Sequence, residues 1–106
     1  MEKYQERMQP TEISFTSDGF SPENTRGYTG REIVWTNNTG GEIKIIETVH
    51  IHEALKGGIV IKSGETFSFK PLKNKIFTYL EVNSGKYGSV YVSDITTPLL
   101  DDMIEN

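Results

Sequence analysis

Residues 77–92, FTYLEVNSGKYGSVYV, form the pattern of two half-buried strands joined by a polar turn with two glycines. Apolar and polar residues alternate on both sides of the turn, as in a β-hairpin with one buried face. Phe77 and Tyr79 share one face of the first strand, so we expect both rings to pack into a core. The segment between Leu80 and Gly88 contains no cysteine, histidine or methionine. The hairpin predicts an all-β fold, and its turn has no obvious chemistry.

The same period of two residues recurs in the rest of the chain. Alternating segments predict further strands at 12–16, 32–36, 66–70, 75–79 and 89–92. Turn signals rich in glycine and asparagine separate them, as in residues 37–41. Short strands at spacings of about ten residues predict an antiparallel Greek-key β-sandwich of about seven to eight strands. We expect Trp35 to pack between its two sheets.

Length, charge and composition exclude several classes of protein. The 106 residues suffice for one domain with a single hydrophobic core. A net charge of −4 argues against a nucleic-acid partner. The absence of cysteine excludes disulfides, thiolate catalysis and cysteine-based metal sites. The chain has no run of about eighteen apolar residues that would span a membrane, and the segment MEKYQERMQP lacks the apolar core of an export signal.

The alternating pattern assigns the folded domain to residues 12–93. Residues 1–11 are mostly polar and include Pro10, so we predict an N-terminal tail or edge segment there. Residues 94–106 contain the apolar pair Leu99-Leu100 before the polar end DDMIEN, and we predict a C-terminal tail.

Several motifs occur together in an order typical of one known family. Residues 13–35 contain a D-G-F-x-P turn and a G-x-x-V-x-W-like strand, which Asn37 follows. Residues 63–69 match an S/P-G-E-x-F-S-F strand entry, and residues 77–79 and 88–92 match the Y-x-Y and G-x-V-x-V parts of a hairpin. Over about residues 12–93 the chain resembles the cupredoxin (plastocyanin- and azurin-like) family, and most of all its small plastocyanin-like bacterial and archaeal members. The resemblance implies a cupredoxin-like sandwich.

The resemblance also implies where a type 1 copper ion would be bound. In the family, a histidine after the W-x-N strand and a C-x-x-H-x-x-M-x-G loop hold the metal, and the first histidine falls at or next to Ile43. Counting back from the glycine of the loop, the cysteine, histidine and methionine fall on Leu80, Asn83 and Lys86. Strand alternation places the cysteine on Glu81 instead. Because type 1 copper needs a thiolate, two imidazoles and usually a soft axial sulfur, we predict a degenerate cupredoxin without this site.

The residues at these positions allow more than one role for this end of the domain. Lys86 would favour an anion or an acidic partner if it occupied the place of the cation, and otherwise it is a solvated lysine on a repaired turn. Ile43 indicates an end packed with aliphatic side chains. If Ile43 were exposed, this end would form an apolar patch suited to docking.

A histidine pair is the remaining metal-ligating candidate. His50 and His52 lie two residues apart, so on a strand both imidazoles would share one face. Such a pair binds Cu(II), Ni(II) or Zn(II), and Glu47, Glu53 or Met8 would add a further ligand. Tight zinc sites have three or four protein ligands, so two histidines alone are incomplete. Loop histidines without a metal are the alternative.

Motifs of catalysis are missing from the chain. It contains no G-x-S-x-G elbow, phosphate loop or dinucleotide fingerprint, and its carboxylates are scattered. We therefore predict no catalytic residue, no bound cofactor and no enzymatic activity.

Two functions remain as hypotheses. The first is a non-catalytic interaction or structural domain on a cupredoxin-like scaffold without type 1 copper, bound to a protein partner or a larger envelope or surface assembly. The resemblance implies an extracytoplasmic location, periplasmic or extracellular. The alternative is a metal-binding module, a carrier or sensor, that holds Cu(II) or Zn(II) at His50 and His52.

Overall fold

The computed structural model describes residues 9–49 and 55–94, which form a sandwich of two β-sheets. Its strands are β1 (Thr11–Thr16), β2 (Gly19–Ser21), β3 (Asn24–Tyr28), β4 (Ile33–Asn37), β5 (Ile43–Glu47), β6 (Ile59–Ile61), β7 (Thr66–Phe69), β8 (Lys75–Glu81) and β9 (Tyr87–Ser93). One sheet has four strands in the order β2-β1-β4-β7, and the other has five in the order β3-β9-β8-β5-β6. The predicted all-β sandwich is confirmed. Within the described ranges, no helix is both long and apolar enough to cross a membrane.

The hairpin of residues 77–92 forms as its alternation predicts. β8 and β9 pair antiparallel from Lys75 opposite Val92 to Leu80 opposite Tyr87. The turn between them closes where the amide of Gly85 donates to the carbonyl of Glu81 over 2.9 Å. Gly85 has a φ of 74°, which a glycine adopts without steric cost.

Two strand pairs differ from the antiparallel arrangement that the sequence predicts. β1 pairs with β4 in parallel, and β3 pairs with β9 in parallel. Parallel neighbours need connections that cross over, because a tight hairpin joins only antiparallel strands. Here β2 and β3 follow each other in the chain but lie in different sheets, as do β3 and β4. These crossings between layers bring the parallel pairs together.

The described residues contain nine strands, more than the seven to eight predicted. β2 and β6 have only three residues each, too few to show a period. β3 contains Gly27, where a Cβ would lie 3.1 Å from Cγ1 of Val90, so the sheets approach too closely there for a side chain. β5 ends at the buried Glu47, which breaks the alternation of apolar residues. Short length and these two exceptions hid four strands from the sequence pattern.

Aromatic rings from both sheets fill the space between the layers. Trp35 of β4 is buried, as predicted, and it stacks on Phe69 with ring centroids 5.9 Å apart. Tyr79 of β8 meets Trp35 edge-on at 5.5 Å and Phe20 of β2 at 4.9 Å. Phe77 is fully buried and meets Phe69 edge-on at 5.4 Å. Tilted and edge-on ring pairs of this kind add to the stabilisation from burial alone.

Candidate functional site

Ile43, the residue at the first histidine position of the resemblance, lies inside the sandwich. It begins β5, is only 4% exposed, and pairs with Ile61 of β6. The structure therefore has the packed arrangement at this position, and Ile43 does not contribute to an exposed apolar patch.

The two candidates for the cysteine position point to opposite faces of β8. Leu80 is half-buried on the outer face, where it lies between Ile46 of β5 and Tyr87 of β9. Glu81 is only 1% exposed and lies on the inner face, opposite Ile45. Glu81, the position given by strand alternation, thus shares the inner face with the core, and Leu80 does not.

The carboxylate of Glu81 links β5 to the turn that follows β8. Its Oε2 accepts a hydrogen bond from the backbone amide of Lys44 over 3.2 Å, and its Oε1 accepts one from the amide of Ser84 over 2.8 Å. The backbone of Glu81 is also engaged, since its amide donates to the carbonyl of Lys86 over 2.9 Å. The side chain therefore acts as an internal tie at the end of the sandwich.

The environment of Glu81 favours the ionised carboxylate. Burial by itself would raise its pKa, but hydrogen bonds from the backbone amides of Lys44, Ser84 and Asn83 stabilise the charge and lower the pKa below its usual value. The end of the domain thus contains a buried anion that is held by backbone dipoles.

The other two loop positions lie at the surface. Asn83 is exposed within the turn, and Lys86 is exposed directly before β9. The aliphatic stem of Lys86 runs 3.6 to 3.8 Å from the point where a Cβ on Gly19 would lie. Its stem therefore packs over the start of β2, in the manner of a lysine that covers apolar surface while its ammonium group reaches water.

These residues do not fit a type 1 copper ion. Ile43 has no donor atom, the carboxylate of Glu81 already accepts two amide hydrogen bonds, and neither Asn83 nor Lys86 supplies sulfur or imidazole. A type 1 site needs thiolate and imidazole ligands. Across residues 9–49 and 55–94, no group of three or more histidine, cysteine, aspartate or glutamate side chains is placed to hold a metal ion.

The histidine pair lies outside the described residues. His50, His52 and their proposed neighbours Glu53 and Met8 belong to the segments that the structure leaves undescribed, so the metal site stays a prediction. Glu47, the remaining candidate ligand, is described, and its Oε2 lies 2.8 Å from Nζ of Lys75 in a largely buried ion pair. That carboxylate is therefore already paired with a cation.

Asn37 was not singled out as a structural residue by the sequence pattern, yet it organises the same end of the domain. Its Nδ2 donates to the carbonyls of Gly41 and Ile61 over 2.7 and 2.9 Å. Its Oδ1 accepts from the amide and the hydroxyl of Thr39 over 2.9 and 2.7 Å. These four bonds use the full capacity of the side-chain amide. Asn37 therefore fixes the turn that leads into Ile43.

The outer face of the five-stranded sheet was also missed. Its outward-facing apolar residues, which we call the apolar outer face, are Ile46, Val60, Ile76, Leu80, Tyr87 and Tyr91. A signal for it is present in the sequence, because residues 75–81 read KIFTYLE and carry apolar side chains on both faces of the strand. An ordinary half-buried strand carries them on one face only.

Two cations accompany the apolar outer face. Arg26 of β3 pairs with Tyr91 of β9, and its Cζ lies 5.5 and 5.7 Å from the ring centroids of Tyr28 and Tyr91. Lys44 of β5 pairs with Val60 of β6. Among the outward-facing positions of the five described strands, none is a carboxylate. This face is therefore apolar and positively charged on a chain whose net charge is −4.

Solved structures similar to this chain are copper proteins. A purple cupredoxin from Nitrosopumilus maritimus has a TM-score of 0.66 and 20% identity, and the match covers 78% of this chain and 99% of that one. A variant of amicyanin in the Cu(I) state has a TM-score of 0.65 and 12% identity, with 79% and 82% covered. A copper-containing nitrite reductase from Thermus scotoductus SA-01 has a TM-score of 0.64 and 13% identity, and the match covers 85% of this chain but only 23% of the reductase.

Sequence comparison adds no relative. No protein-family model matches the chain, and no curated protein is similar to it in sequence. The structural similarities and the two-sheet topology together show that the chain has the cupredoxin fold.

Proposed function

We propose that this protein is a non-catalytic, extracytoplasmic interaction or structural domain that uses the cupredoxin fold without type 1 copper. The observation that carries the proposal is the state of Glu81. Where the resemblance and strand alternation place a copper-binding cysteine, a buried carboxylate accepts hydrogen bonds from the amides of Lys44 and Ser84.

The physical argument is that internal hydrogen bonds replace the link that a metal ion would make. In the resembled family, copper joins the segment after the W-x-N strand to the loop after the hairpin's first strand. In this chain Glu81 joins β5 to the same loop, and Asn37 holds the preceding turn. This arrangement supports a domain that folds without metal and does not transfer electrons.

The absence of catalysis is proposed on the same basis. The buried polar side chains Asn37, Glu47 and Glu81 are each engaged in hydrogen bonds or an ion pair that connects parts of the fold. An extracytoplasmic location is proposed from the fold alone. The proposed role is binding to a protein partner or incorporation into a larger envelope or surface assembly.

The test is a Cu(II) titration of the metal-stripped protein, followed by absorption and paramagnetic resonance spectroscopy. We expect no intense blue absorption, and we expect the same melting temperature with Cu(II) and with a chelator. An intense blue band, or a melting temperature that rises with stoichiometric copper, would refute the proposal.

The metal-binding alternative is decided by the same titration on a matched variant. His50→Ala/His52→Ala removes both imidazoles. Stoichiometric binding of Cu(II) or Zn(II) at about micromolar affinity or tighter, lost in this variant, would establish the carrier or sensor function. Equal and weak binding by both proteins would exclude it.

A further inference from the structure

The apolar outer face is not explained by the needs of folding. A two-layer sandwich buries one face of each sheet, and its outer faces are ordinarily polar. Here Tyr87, Ile76, Val60 and Tyr91 are 63%, 56%, 54% and 52% exposed. Contiguous exposed apolar surface of this kind marks interaction sites on soluble proteins.

The exposed side chains form rows that run across the strands. Ile76 lies beside Tyr91, and Leu80 lies between Tyr87 and Ile46. The hydroxyl groups between these rows bond to neighbours within the sheet, with Thr78 to Thr48 at 2.8 Å and Ser89 to Asn24 at 2.6 Å. A partner therefore meets apolar ridges beside polar groups that already have partners.

Arg26 is held in place before any partner arrives. Its Nε and Nη2 donate to Oγ of Ser93 over 3.3 and 3.0 Å, and the rings of Tyr28 and Tyr91 flank its guanidinium group. A fixed arginine beside exposed tyrosine has the composition of an interaction hot spot. Its remaining nitrogen, Nη1, suits the carboxylate of a partner.

The second cation lies at the opposite corner of the face. Lys44 is two rows beyond Leu80, since the amide of Val82 donates to the Lys44 carbonyl over 2.9 Å. Arg26 is beside Tyr91 and hence in the row of Ile76. A strand rise of about 3.4 Å and a strand spacing of about 4.8 Å place the two cations about 25 Å apart, with the apolar rows between them.

We propose that the apolar outer face binds an acidic, amphipathic segment of another protein. Its apolar side chains cover the rows, and carboxylates near its two ends meet Arg26 and Lys44. This inference rests on the proposed function and names the surface and the partner's chemistry. A helix that spans about 25 Å has about 17 residues, which fits the distance between the cations.

Charge selects this occupant over two others. Two copies of this chain packed through the same face would bring cations towards cations, with no carboxylate at the outward-facing described positions to neutralise them. An anionic lipid surface gains little from two cations, and the chain's net charge of −4 opposes its approach.

The test is an NMR titration of the full-length, isotope-labelled protein with three synthetic helical peptides of about 18 residues. All three carry the same leucine stripe, and they differ only in having Glu, Gln or Lys near both ends. We expect the Glu peptide to shift the amide signals of Arg26, Lys44, Ile76 and Tyr91. We expect it to bind about tenfold more tightly than the Gln peptide, which corresponds to a single charge-assisted contact.

Matched variants locate the contact. Arg26→Gln and Tyr91→Thr are each expected to weaken binding of the Glu peptide about tenfold or more. Lys70→Gln and Val34→Thr make the same kinds of change on the four-stranded sheet and are expected to leave the affinity unchanged. Retention of the fold is checked from the amide spectrum of each variant.

Four outcomes would overturn the proposal. They are equal binding of the three peptides, shifts confined to other surfaces, no binding at about millimolar peptide, and the absence of any loss in Arg26→Gln. Sedimentation that shows self-association through these residues would assign the face to a second copy, and flotation with phosphatidylglycerol vesicles would assign it to a membrane. A copper-silent protein that binds no peptide loses only this inference, whereas a type 1 copper spectrum refutes the proposed function whatever the peptides do.

Discussion

The outer faces of the two sheets differ in chemistry although their inner faces are alike. The four-stranded sheet presents a polar outer face, whose outward-facing residues include Glu12, Ser14, Thr16, Thr36, Thr66 and Ser68. The five-stranded sheet presents the apolar outer face with Arg26 and Lys44. Both inner faces are built from the buried aliphatic and aromatic residues of the core.

This difference separates what the fold requires from what it does not. In β1, Ile13 and Phe15 face inward while Ser14 faces outward, and the strand pairs on both sides. Serine and threonine thus suffice on the outside of this sandwich. The isoleucine and tyrosine residues on the other outside are additional to the folding requirement, which is why we assign them to binding.

The sharpest test of the comparison uses neighbouring residues of β8. Phe77 is fully buried and Ile76 is 56% exposed. We expect Phe77→Ala to lower the free energy of unfolding by about 3–5 kcal/mol through lost packing. We expect Ile76→Ala to lower it by less than about 1 kcal/mol, as at an ordinary surface position. Urea unfolding measures both, and a loss above about 2 kcal/mol for Ile76→Ala would make the outer face part of the stabilising structure.

A second pair tests the same division with polar residues. Asn37 faces inward, and Asn37→Ala leaves the buried carbonyls of Gly41 and Ile61 without their donor. We expect a loss of about 2–4 kcal/mol in the free energy of unfolding. Asn38 faces outward and donates to Ser14 over 2.5 Å on the polar outer face.

The outward residue is the control. We expect Asn38→Ala to cost less than about 1 kcal/mol, because water replaces an exposed hydrogen bond. Equal losses in the two variants would show that Asn37 contributes no more than an ordinary turn residue.

The hairpin and the core were predictable because both follow from alternation. Phe77, Tyr79 and Trp35 occupy the inner positions that a period of two assigns to them. The parallel pairs were not predictable, because they depend on which sheet a strand joins after a turn, and turn sequences do not encode that choice. The metal-loop positions came from resemblance, and local pattern left the register between Leu80 and Glu81 open.

The outer face and the role of Glu81 were missed for a different reason. A glutamate in a strand is normally placed on the solvent side, and only the amides of Lys44 and Ser84 make its burial favourable. Those donors come from residues 37 positions away and from the turn, so no local pattern shows them. Apolar residues on both faces of β8 were visible in the sequence, but such a strand is also typical of a fully buried one.

The carboxylate of Glu81 can be compared with that of Glu12 on the polar outer face. In Glu81→Gln, one amide hydrogen bond is replaced by an N–H that faces another N–H. We expect a loss of about 1–2 kcal/mol at neutral pH. Glu12→Gln, at an exposed carboxylate, is expected to stay within about 0.5 kcal/mol of the parent. Thermal unfolding of the three proteins gives the comparison.

The pH dependence of Glu81→Gln supplies an independent signature. The pKa of Glu81 lies below the ordinary value of 4.5 in the folded protein, so the unfolded chain binds more protons in that range. The stabilisation is fully present above pH 4.5 and declines as the pH falls through the lowered pKa. We therefore expect the difference between the parent and Glu81→Gln to narrow in acid, and a difference that stays constant down to pH 2 would exclude a role for the charge.

The smallest expected effect concerns the hydroxyl group of Tyr79 on the inner face. Within the described part of the chain, its Oη has no hydrogen-bond partner, although a buried tyrosine hydroxyl usually finds one. A Cβ on Gly88 would lie 2.6 Å from Cε2 of Tyr79, so the ring packs directly on the backbone of β9. Because Tyr79→Phe keeps the ring and removes only the unpaired group, we expect a change within about 1 kcal/mol, towards greater stability.

Alkaline titration distinguishes this explanation from a hidden hydrogen bond. Burial raises the pKa of Tyr79 from 10.0 to about 12, so between these values the unfolded chain releases a proton that the folded protein retains. The folded state therefore loses stability as the pH rises above 10, and Tyr79→Phe is expected to lose less. The difference in tyrosinate absorption between the two proteins should show one transition near pH 12. A loss of more than about 1 kcal/mol in Tyr79→Phe would show instead that the hydroxyl has a partner that holds the two layers together.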